Sequence, residues 1–130
     1  MNWLAIVAAA VVAFVQSTIW YIIFAAQRTE LLGVRADAGD TRRPPPWKLL
    51  AEFARNLLFA AVLSRLITAT GVTDLAGAAS LAIGLWIVFP VMILVGSVMW
   101  DHVPWKLGVI HAGDWFLKLV LVTALLDLWR

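Results

Sequence analysis

The stretch from Leu75 to Trp100 contains no charged residue. A run of this kind is typical of a helix that crosses a bilayer, because about 20 apolar residues span the hydrocarbon core. Within that core the backbone amides and carbonyls must be satisfied by the protein itself, which restricts membrane-spanning segments to helices and closed barrels. Hydrophobic residues make up 63% of the 130 residues and charged residues only 14%. The sequence therefore predicts an all-α integral membrane protein.

Four apolar stretches predict a four-helix transmembrane bundle that forms a single domain, with helices at about 3–26, 47–70, 75–100 and 105–129. The first stretch could also be a signal peptide, but no Lys or Arg precedes it and Gln16, Ser17 and Thr18 interrupt it, so we interpret it as a span. The second stretch is the least apolar, and an amphipathic helix on the membrane surface is its alternative interpretation. The continuous apolar segment from Leu57 to Leu63 favours a span.

The third predicted helix has two local features. Gly77, Ser80 and Gly84 form a face of small residues that allows another helix to approach closely. Pro90 lies near the middle of the helix, where it removes an amide donor and predicts a kink. Such a kink either packs against a neighbouring helix or opens a cavity.

The basic residues predict the orientation in the membrane. Residues 27–46 form a hydrophilic connector, whose arginines and the lysine just beyond it are Arg28, Arg35, Arg42, Arg43 and Lys48. Lys106 lies on the same predicted side, whereas the opposite side has only Arg65 and Arg130. Basic residues favour the cytoplasmic side of a membrane. We therefore expect a multi-pass protein of the cell (plasma) membrane with loop 27–46 in the cytoplasm and both termini outside.

The fourth predicted helix carries ionisable residues at membrane depth. His111, Asp114 and Lys118, with Trp115 between them, fall within roughly a third of the helix circumference at about 100° per residue. Charges at this depth cost several kcal/mol unless they face protein, water or each other. We therefore expect the other helices to cover this polar stripe.

The second predicted helix has a polar face at a matching depth, formed by Glu52, Arg55 and Asn56. Both polar faces begin roughly 6 to 12 Å from the inner helix ends, at a rise of about 1.5 Å per residue. The sequence therefore predicts a cross-helix network in which these three residues meet His111 and Asp114. Lys118 would pair with Asp114 one turn away, and Gln16 would cap the network from above.

Two interpretations of this network are open. In the structural one, the polar groups neutralise each other and hold the helices in register. In the functional one, the candidate catalytic residues are His111, Asp114 and Glu52, because a carboxylate can orient an imidazole for acid–base work. The candidate ligand-binding residues are Arg55, Asn56, Trp115, Lys118, Gln16, Trp20 and Trp86. The deep tryptophan rings suit a flat or cationic lipophilic ligand, or simply fill space between helices.

Several classes of site are disfavoured by the sequence. The chain has no cysteine and no HExxH motif, and His102 and His111 do not have the ligand spacing of a zinc site. A single intramembrane histidine does not favour haem, and neither a phosphate-binding glycine loop nor a nucleophile elbow is present. The net charge of +2 gives no indication of a nucleic-acid partner. We expect no metal, no cofactor and no nucleic acid.

Three local patterns point to a family. They are Trp20, Tyr21 and Phe24 at the end of the first helix, GLWIVFP from Gly84 to Pro90, and WDHVPWKLGVIHAGDW from Trp100 to Trp115. Together they resemble a family of small bacterial membrane proteins catalogued as domain of unknown function 1761. The signature residues are Pro104, Lys106, Ile110, Ala112, Gly113 and Trp115. The resemblance implies a four-helix transmembrane fold in a bacterial inner membrane and supplies no activity.

The favoured hypothesis is a binding site for a small lipophilic or amphipathic molecule, with acid–base chemistry by His111 as an extension of it. A homo-oligomeric transporter of protons, ions or small solutes is the first alternative, for which Gly77, Ser80 and Gly84 offer a helix interface. The second alternative is an accessory membrane subunit whose polar network is structural. The expected partners are therefore membrane lipids, a lipophilic small molecule and further copies of the chain.

Overall fold

The computed structural model describes residues 2–32 and 45–129. Within these ranges the chain is helical and contains no strand. The helices are α1 (Trp3–Ile23), α2 (Ala25–Leu32), α3 (Pro46–Ala69), α4 (Leu75–Trp100) and α5 (Trp105–Leu128). Three of them, α1, α4 and α5, are long and apolar enough to cross a membrane. The predicted all-α membrane fold is confirmed.

Helix α3 differs from the other long helices in composition. It has 24 residues, as many as α5, but Lys48, Glu52, Arg55 and Arg65 keep it outside the class of apolar membrane-spanning helices. The structure therefore supports three of the four predicted spans by length and composition. The crossing by α3 stays a prediction.

Helical structure at the start of the chain extends further than predicted, to Leu32. Helix α1 ends at Ile23 and α2 begins at Ala25, with the hydrogen-bond ladder carried across the break by Phe24, whose carbonyl accepts from the amide of Arg28 at 2.9 Å. The prediction that a connector begins at Gln27 is therefore wrong for residues 27–32. The sequence of α2, AAQRTELL, consists mostly of strong helix formers, so helical structure continues beyond the apolar run. The rest of the connector, including Arg35, Arg42 and Arg43, lies outside the described residues.

Helix α4 accommodates Pro90 by a change of helix type. The α-helical part from Leu75 to Trp86 is followed by a π-helical turn, Ile87–Val91, and then by a second α-helical part, Met92–Trp100. Proline lacks an amide hydrogen and clashes with the carbonyl of the preceding turn, and a π turn has room for it because it contains one residue more. Pro90 thus lies in a single widened turn within one long helix, and the kink at this position stays a prediction.

The helices pack in the lateral order α3, α1, α5, α4, and α3 also contacts α5. Small side chains of α1, such as Ala9 and Ala13, lie in a common core with Ala60 of α3 and Val122 of α5, which allows close helix approach. Helix α5 is the most buried of the long apolar helices. The polar stripe on α5 is therefore covered mainly by α1 and α3.

The two ends of the chain meet at one end of the bundle. The Asn2 side chain donates a hydrogen bond to the backbone carbonyl of Trp129 at 3.1 Å. Asn2 also shares a cavity wall with Arg65 and Thr68, near the end of α3. Lys48, near the start of α3, shares a different cavity with Arg28 of α2. Helix α3 therefore runs antiparallel to α1 over the full length of the bundle.

Candidate functional site

A polar cavity of about 520 Å³ lies between α1, α3 and α5, with one residue of α2 in its wall. Its polar and charged lining residues are Ser17, Thr18, Tyr21, Arg28, Lys48, Glu52, Arg55, His111, Asp114 and Lys118, and its apolar and other aromatic ones are Phe14, Leu49 and Trp115. Most of the predicted site residues, namely Glu52, Arg55, His111, Asp114, Trp115 and Lys118, face this cavity. Asn56, Gln16, Trp20 and Trp86 do not line it.

Asp114 is the most heavily bonded side chain in the wall. Its Oδ1 accepts hydrogen bonds from Ser17 Oγ at 2.7 Å and from Gln16 Nε2 at 3.1 Å, and its Oδ2 lies 3.6 Å from Lys118 Nζ. The Asp114 and Lys118 side chains are each only 4% exposed. A buried carboxylate requires such donors because it has lost its hydration. Asp114 thereby joins α5 to α1.

Lys118 is held between a carboxylate and an aromatic ring. Its Nζ lies 4.4 Å from the centroid of the Trp115 ring, on which the ammonium group makes a cation–π contact. The Trp115 ring also meets Phe59 of α3 edge-on, with centroids 5.7 Å apart. This row of side chains fixes the position of Trp115 between α5 and α3.

His111 is paired with Tyr21, which is not among the predicted site residues. Its Nδ1 lies 2.6 Å from the hydroxyl oxygen of Tyr21, and the guanidinium carbon of Arg28 lies 5.3 Å from the Tyr21 ring centroid. Among residues 2–32 and 45–129, Nε2 of His111 makes no hydrogen bond. His111 therefore keeps one ring nitrogen available at the cavity.

A spacing signal could have identified the α1 wall. Phe14, Thr18, Tyr21 and Arg28 are three, four or seven residues apart, so they share one helix face. Ser17, four residues before Tyr21, borders this face. The residues of α1 predicted for the site, Gln16 and Trp20, lie on the adjacent face.

The predicted network between the second and fourth helices is wrong in its contacts. Glu52 and Arg55 form an ion pair with each other, with Oε2 of Glu52 2.7 Å from Nη1 of Arg55. Within the described part of the chain, no hydrogen bond or ion pair joins them to His111 or Asp114. The reason is geometric: α1 packs closely along α5 and supplies hydrogen-bond partners of both residues, whereas Glu52 and Arg55 line another wall of the cavity.

Asn56 occupies the buried face of α3 instead of the cavity. It is 3% exposed, on the same face as Ala60 and Leu63, and its Nδ2 has no hydrogen-bond partner among the described residues. The expectation that Asn56 belongs to the network with His111 and Asp114 is therefore wrong. Asn56 lies one turn further along α3 than Glu52, where the helix contacts the core and no longer lines the cavity.

Trp20 and Trp86 anchor α5 from its two sides. The indole nitrogen of Trp20 donates to the carbonyl of Ile110 at 2.9 Å, and that of Trp86 donates to the carbonyl of Ala112 at 2.8 Å. Gly113 makes the first contact feasible, because a Cβ at this position would lie 2.5 Å from Cζ2 of Trp20. These two tryptophans fix the height of α5 between α1 and α4, and so position His111 and Asp114.

An apolar cleft of about 560 Å³ adjoins the polar cavity. It lies between α3 and α4, and its floor is formed by residues of α5. The π turn of α4 contributes Phe89 and Pro90, and α3 contributes Phe59. Trp115 lines both the cleft and the polar cavity. Trp115 is therefore the boundary between a charged compartment and an apolar one.

The side chains of the site do not form a metal centre. Among the residues that the structure describes, no group of three or more His, Cys, Asp or Glu side chains is placed to hold a metal ion.

The chain matches one family over almost its whole length. The family model described as "Protein of unknown function (DUF1761)" covers residues 4–126, and so includes all the helices that line the cavity and the cleft. No curated protein and no solved structure matches the chain. The comparisons establish the family and indicate no activity.

Proposed function

We propose that this chain, which belongs to the DUF1761 family, binds a small amphipathic molecule within the membrane. The family supplies no activity, so the function is inferred from the two adjoining compartments. The polar head occupies the cavity between α1, α3 and α5, and the apolar chain occupies the cleft between α3 and α4. Each compartment has the size of ordinary small-molecule sites, which are about 300–1,000 Å³.

The observation that carries this proposal is the position of Trp115. One ring borders both the charged cavity and the apolar cleft, so a molecule that contacts Trp115 meets ion-pairing groups on one side and aliphatic groups on the other. Phospholipids, fatty acids and other amphiphiles have this division of polarity. A site between helices is also open to molecules that diffuse laterally in the bilayer.

The proposal includes α3 as a fourth membrane-spanning helix. At about 1.5 Å per residue its 24 residues extend about 36 Å, enough to cross the hydrocarbon core. Its charges at Lys48, Glu52 and Arg55 face the cavity, so they need not contact acyl chains. Arg65 lies near the far end, where a long side chain can reach the interface.

With four crossings the chain has both ends on one side, as the contact between Asn2 and Trp129 favours. The basic residues favour the cytoplasm for the opposite side, with α2 and the connector that follows it. In this orientation the polar cavity opens towards the cytoplasmic leaflet. The bound molecule would therefore be drawn from that leaflet.

Acid–base chemistry on the bound molecule is an extension of the binding proposal. His111 and Tyr21 share a hydrogen bond in the cavity wall, and Nε2 of His111 makes no bond to the described residues. An imidazole with one nitrogen oriented by a partner can exchange a proton through the other. His111 is the residue that we expect to contact a titrating group on the head.

Tryptophan quenching tests the binding proposal. Bromine atoms on an acyl chain quench a tryptophan that they touch, so lysophospholipids with mid-chain bromine and anionic, zwitterionic or cationic heads are titrated into protein held in unbrominated detergent. We expect at least one head group to give saturable quenching that is lost in Trp115→Phe. Trp3→Phe is the matched control, because Trp3 is 61% exposed and lines neither compartment. Quenching that rises without saturation in every protein would refute the proposal.

A further inference from the structure

The charges in the polar cavity are unbalanced. Its wall contains four basic side chains, Arg28, Lys48, Arg55 and Lys118, and two carboxylates, Glu52 and Asp114. Charged groups close to the hydrocarbon region are costly unless they are compensated. The excess of positive charge therefore requires either water or an anion at this place.

Two of the basic side chains already have partners. Lys118 lies against Asp114, and Arg55 lies 2.7 Å from Glu52. These two pairs use both carboxylates of the cavity. Neither Lys118 nor Arg55 therefore accounts for the excess charge.

The other two basic side chains, Arg28 and Lys48, have no carboxylate partner within residues 2–32 and 45–129. Each contacts an aromatic ring: Arg28 lies 5.3 Å from the ring centroid of Tyr21, and Lys48 lies 5.7 Å from that of Trp47. They come from different helices, α2 and α3, and converge on the same cavity. Two exposed cations that line one cavity from different helices are suited to bind an anion there.

We propose that the head group bound in this cavity is a phosphate or carboxylate held between Arg28 and Lys48, so that the protein selects anionic amphiphiles. This inference rests on the proposed binding function and adds the charge of the ligand. Tyr21 lies beside Arg28, and the hydrogen-bonded pair of Tyr21 and His111 has one further donor for an anion oxygen. The acyl chain then passes Trp115 into the apolar cleft.

Affinities for head groups on one common chain test the inference. Oleoyl lysophosphatidic acid, oleoyl lysophosphatidylcholine, oleylamine and inorganic phosphate are titrated into the protein in a neutral detergent, and the bound fraction is read by native mass spectrometry. We expect the lysophosphatidic acid to bind about tenfold more tightly than the lysophosphatidylcholine, because its phosphate monoester carries about −1.5 to −2 charges and has no choline cation beside it. Inorganic phosphate should bind far more weakly than the lysophosphatidic acid, since it cannot use the cleft.

Two substitutions locate the preference. Arg28→Gln and Lys48→Gln should each lower the affinity for the lysophosphatidic acid about three- to tenfold, and that for the lysophosphatidylcholine, whose phosphate carries one charge next to a choline cation, by less. The control is Lys106→Gln. Lys106 also follows a tryptophan at the start of a helix and lies 5.7 Å from its ring centroid, as Lys48 does, but it does not line the cavity. All three residues are exposed, so the variants should fold.

The outcomes separate the inference from the function on which it rests. Equal affinity for anionic and zwitterionic heads, or tighter binding of oleylamine, overturns the anionic preference while amphiphile binding stands. Inorganic phosphate that binds as tightly as the lysophosphatidic acid overturns the assignment of the anion to an amphiphile. Absence of saturable binding by every probe overturns the proposed function itself. An equal loss in Lys106→Gln and Lys48→Gln overturns the location.

Discussion

Asp114 and Lys118 show how a buried charge is accommodated in this bundle. The Asp114 carboxylate receives two hydrogen bonds from α1 and one ion-pair partner from its own helix, and the Lys118 ammonium group lies on the Trp115 ring. Each group is costly to bury alone. Together they hold α1 and α5 in one register and also form part of the cavity wall.

This arrangement predicts non-additive stability effects. Asp114→Asn should reduce the free energy of unfolding by about 3–5 kcal/mol, because it leaves the Lys118 ammonium buried without a counter-charge. The double variant Asp114→Asn with Lys118→Met should lose less stability than the sum of the losses in Asp114→Asn and Lys118→Met, by about 1–3 kcal/mol of coupling energy. Unfolding of the four proteins in detergent, followed by circular dichroism, measures this. Strictly additive effects would show that the two side chains do not stabilise each other.

At the residue scale, contacts within one helix could be predicted, whereas of the contacts between helices only that of Gln16 with the network at Asp114 was expected. The pairing of Lys118 with Asp114 follows from their spacing of four residues. The pairing of Asp114 with Ser17, and of His111 with Tyr21, depends on the rotation of α1 about its axis. A rotation of about 100°, one residue on a helix, separates the Ser17 face from the Gln16 face.

At the element scale, α3 is the helix that hydropathy describes least well. Its first half, with Glu52 and Arg55, lines the cavity, and its second half, with Ala60 and Leu63, packs in the core. A hydropathy average mixes these two halves, which have different surroundings in the packed bundle. For α2, hydropathy misplaces the end of the helix. The change to polar residues marks the end of the apolar run, but the helix formers after Phe24 extend the helix to Leu32.

Cysteine labelling tests whether α3 crosses the membrane. The chain has no cysteine, so single cysteines at Gln27, Thr73 and Lys106 can be labelled with a membrane-impermeant maleimide without background. If α3 spans, Gln27→Cys and Lys106→Cys should share one side, the cytoplasmic one, and Thr73→Cys should lie on the other.

A surface-lying α3 gives a different labelling pattern. With only three crossings, Gln27→Cys and Thr73→Cys would be labelled from the same side and Lys106→Cys from the opposite side. All three positions are exposed, so the labels report sidedness rather than burial.

At the scale of the whole molecule, composition is enough to predict an all-helical membrane protein, and the depth of the polar residues is enough to predict a polar site in one half of it. The cleft between α3 and α4 could not be predicted, because it depends on which helices pack together: α1 and α4 each pack on α5, and α3 packs mainly on α1. The meeting of cleft and cavity at Trp115 is therefore a property of the assembled bundle.

The central claim is that an amphiphile occupies the cavity and the cleft, and native mass spectrometry of gently solubilised protein tests it most directly. Three proteins are compared: the wild type, Thr18→Trp and Thr68→Trp. Both threonine hydroxyls donate to the carbonyl four residues earlier, but only Thr18 lines the polar cavity, which a tryptophan would fill. We predict a bound amphiphile on the wild type and on Thr68→Trp and none on Thr18→Trp. An equal amount of bound amphiphile on all three proteins, or none on any of them, would contradict the account.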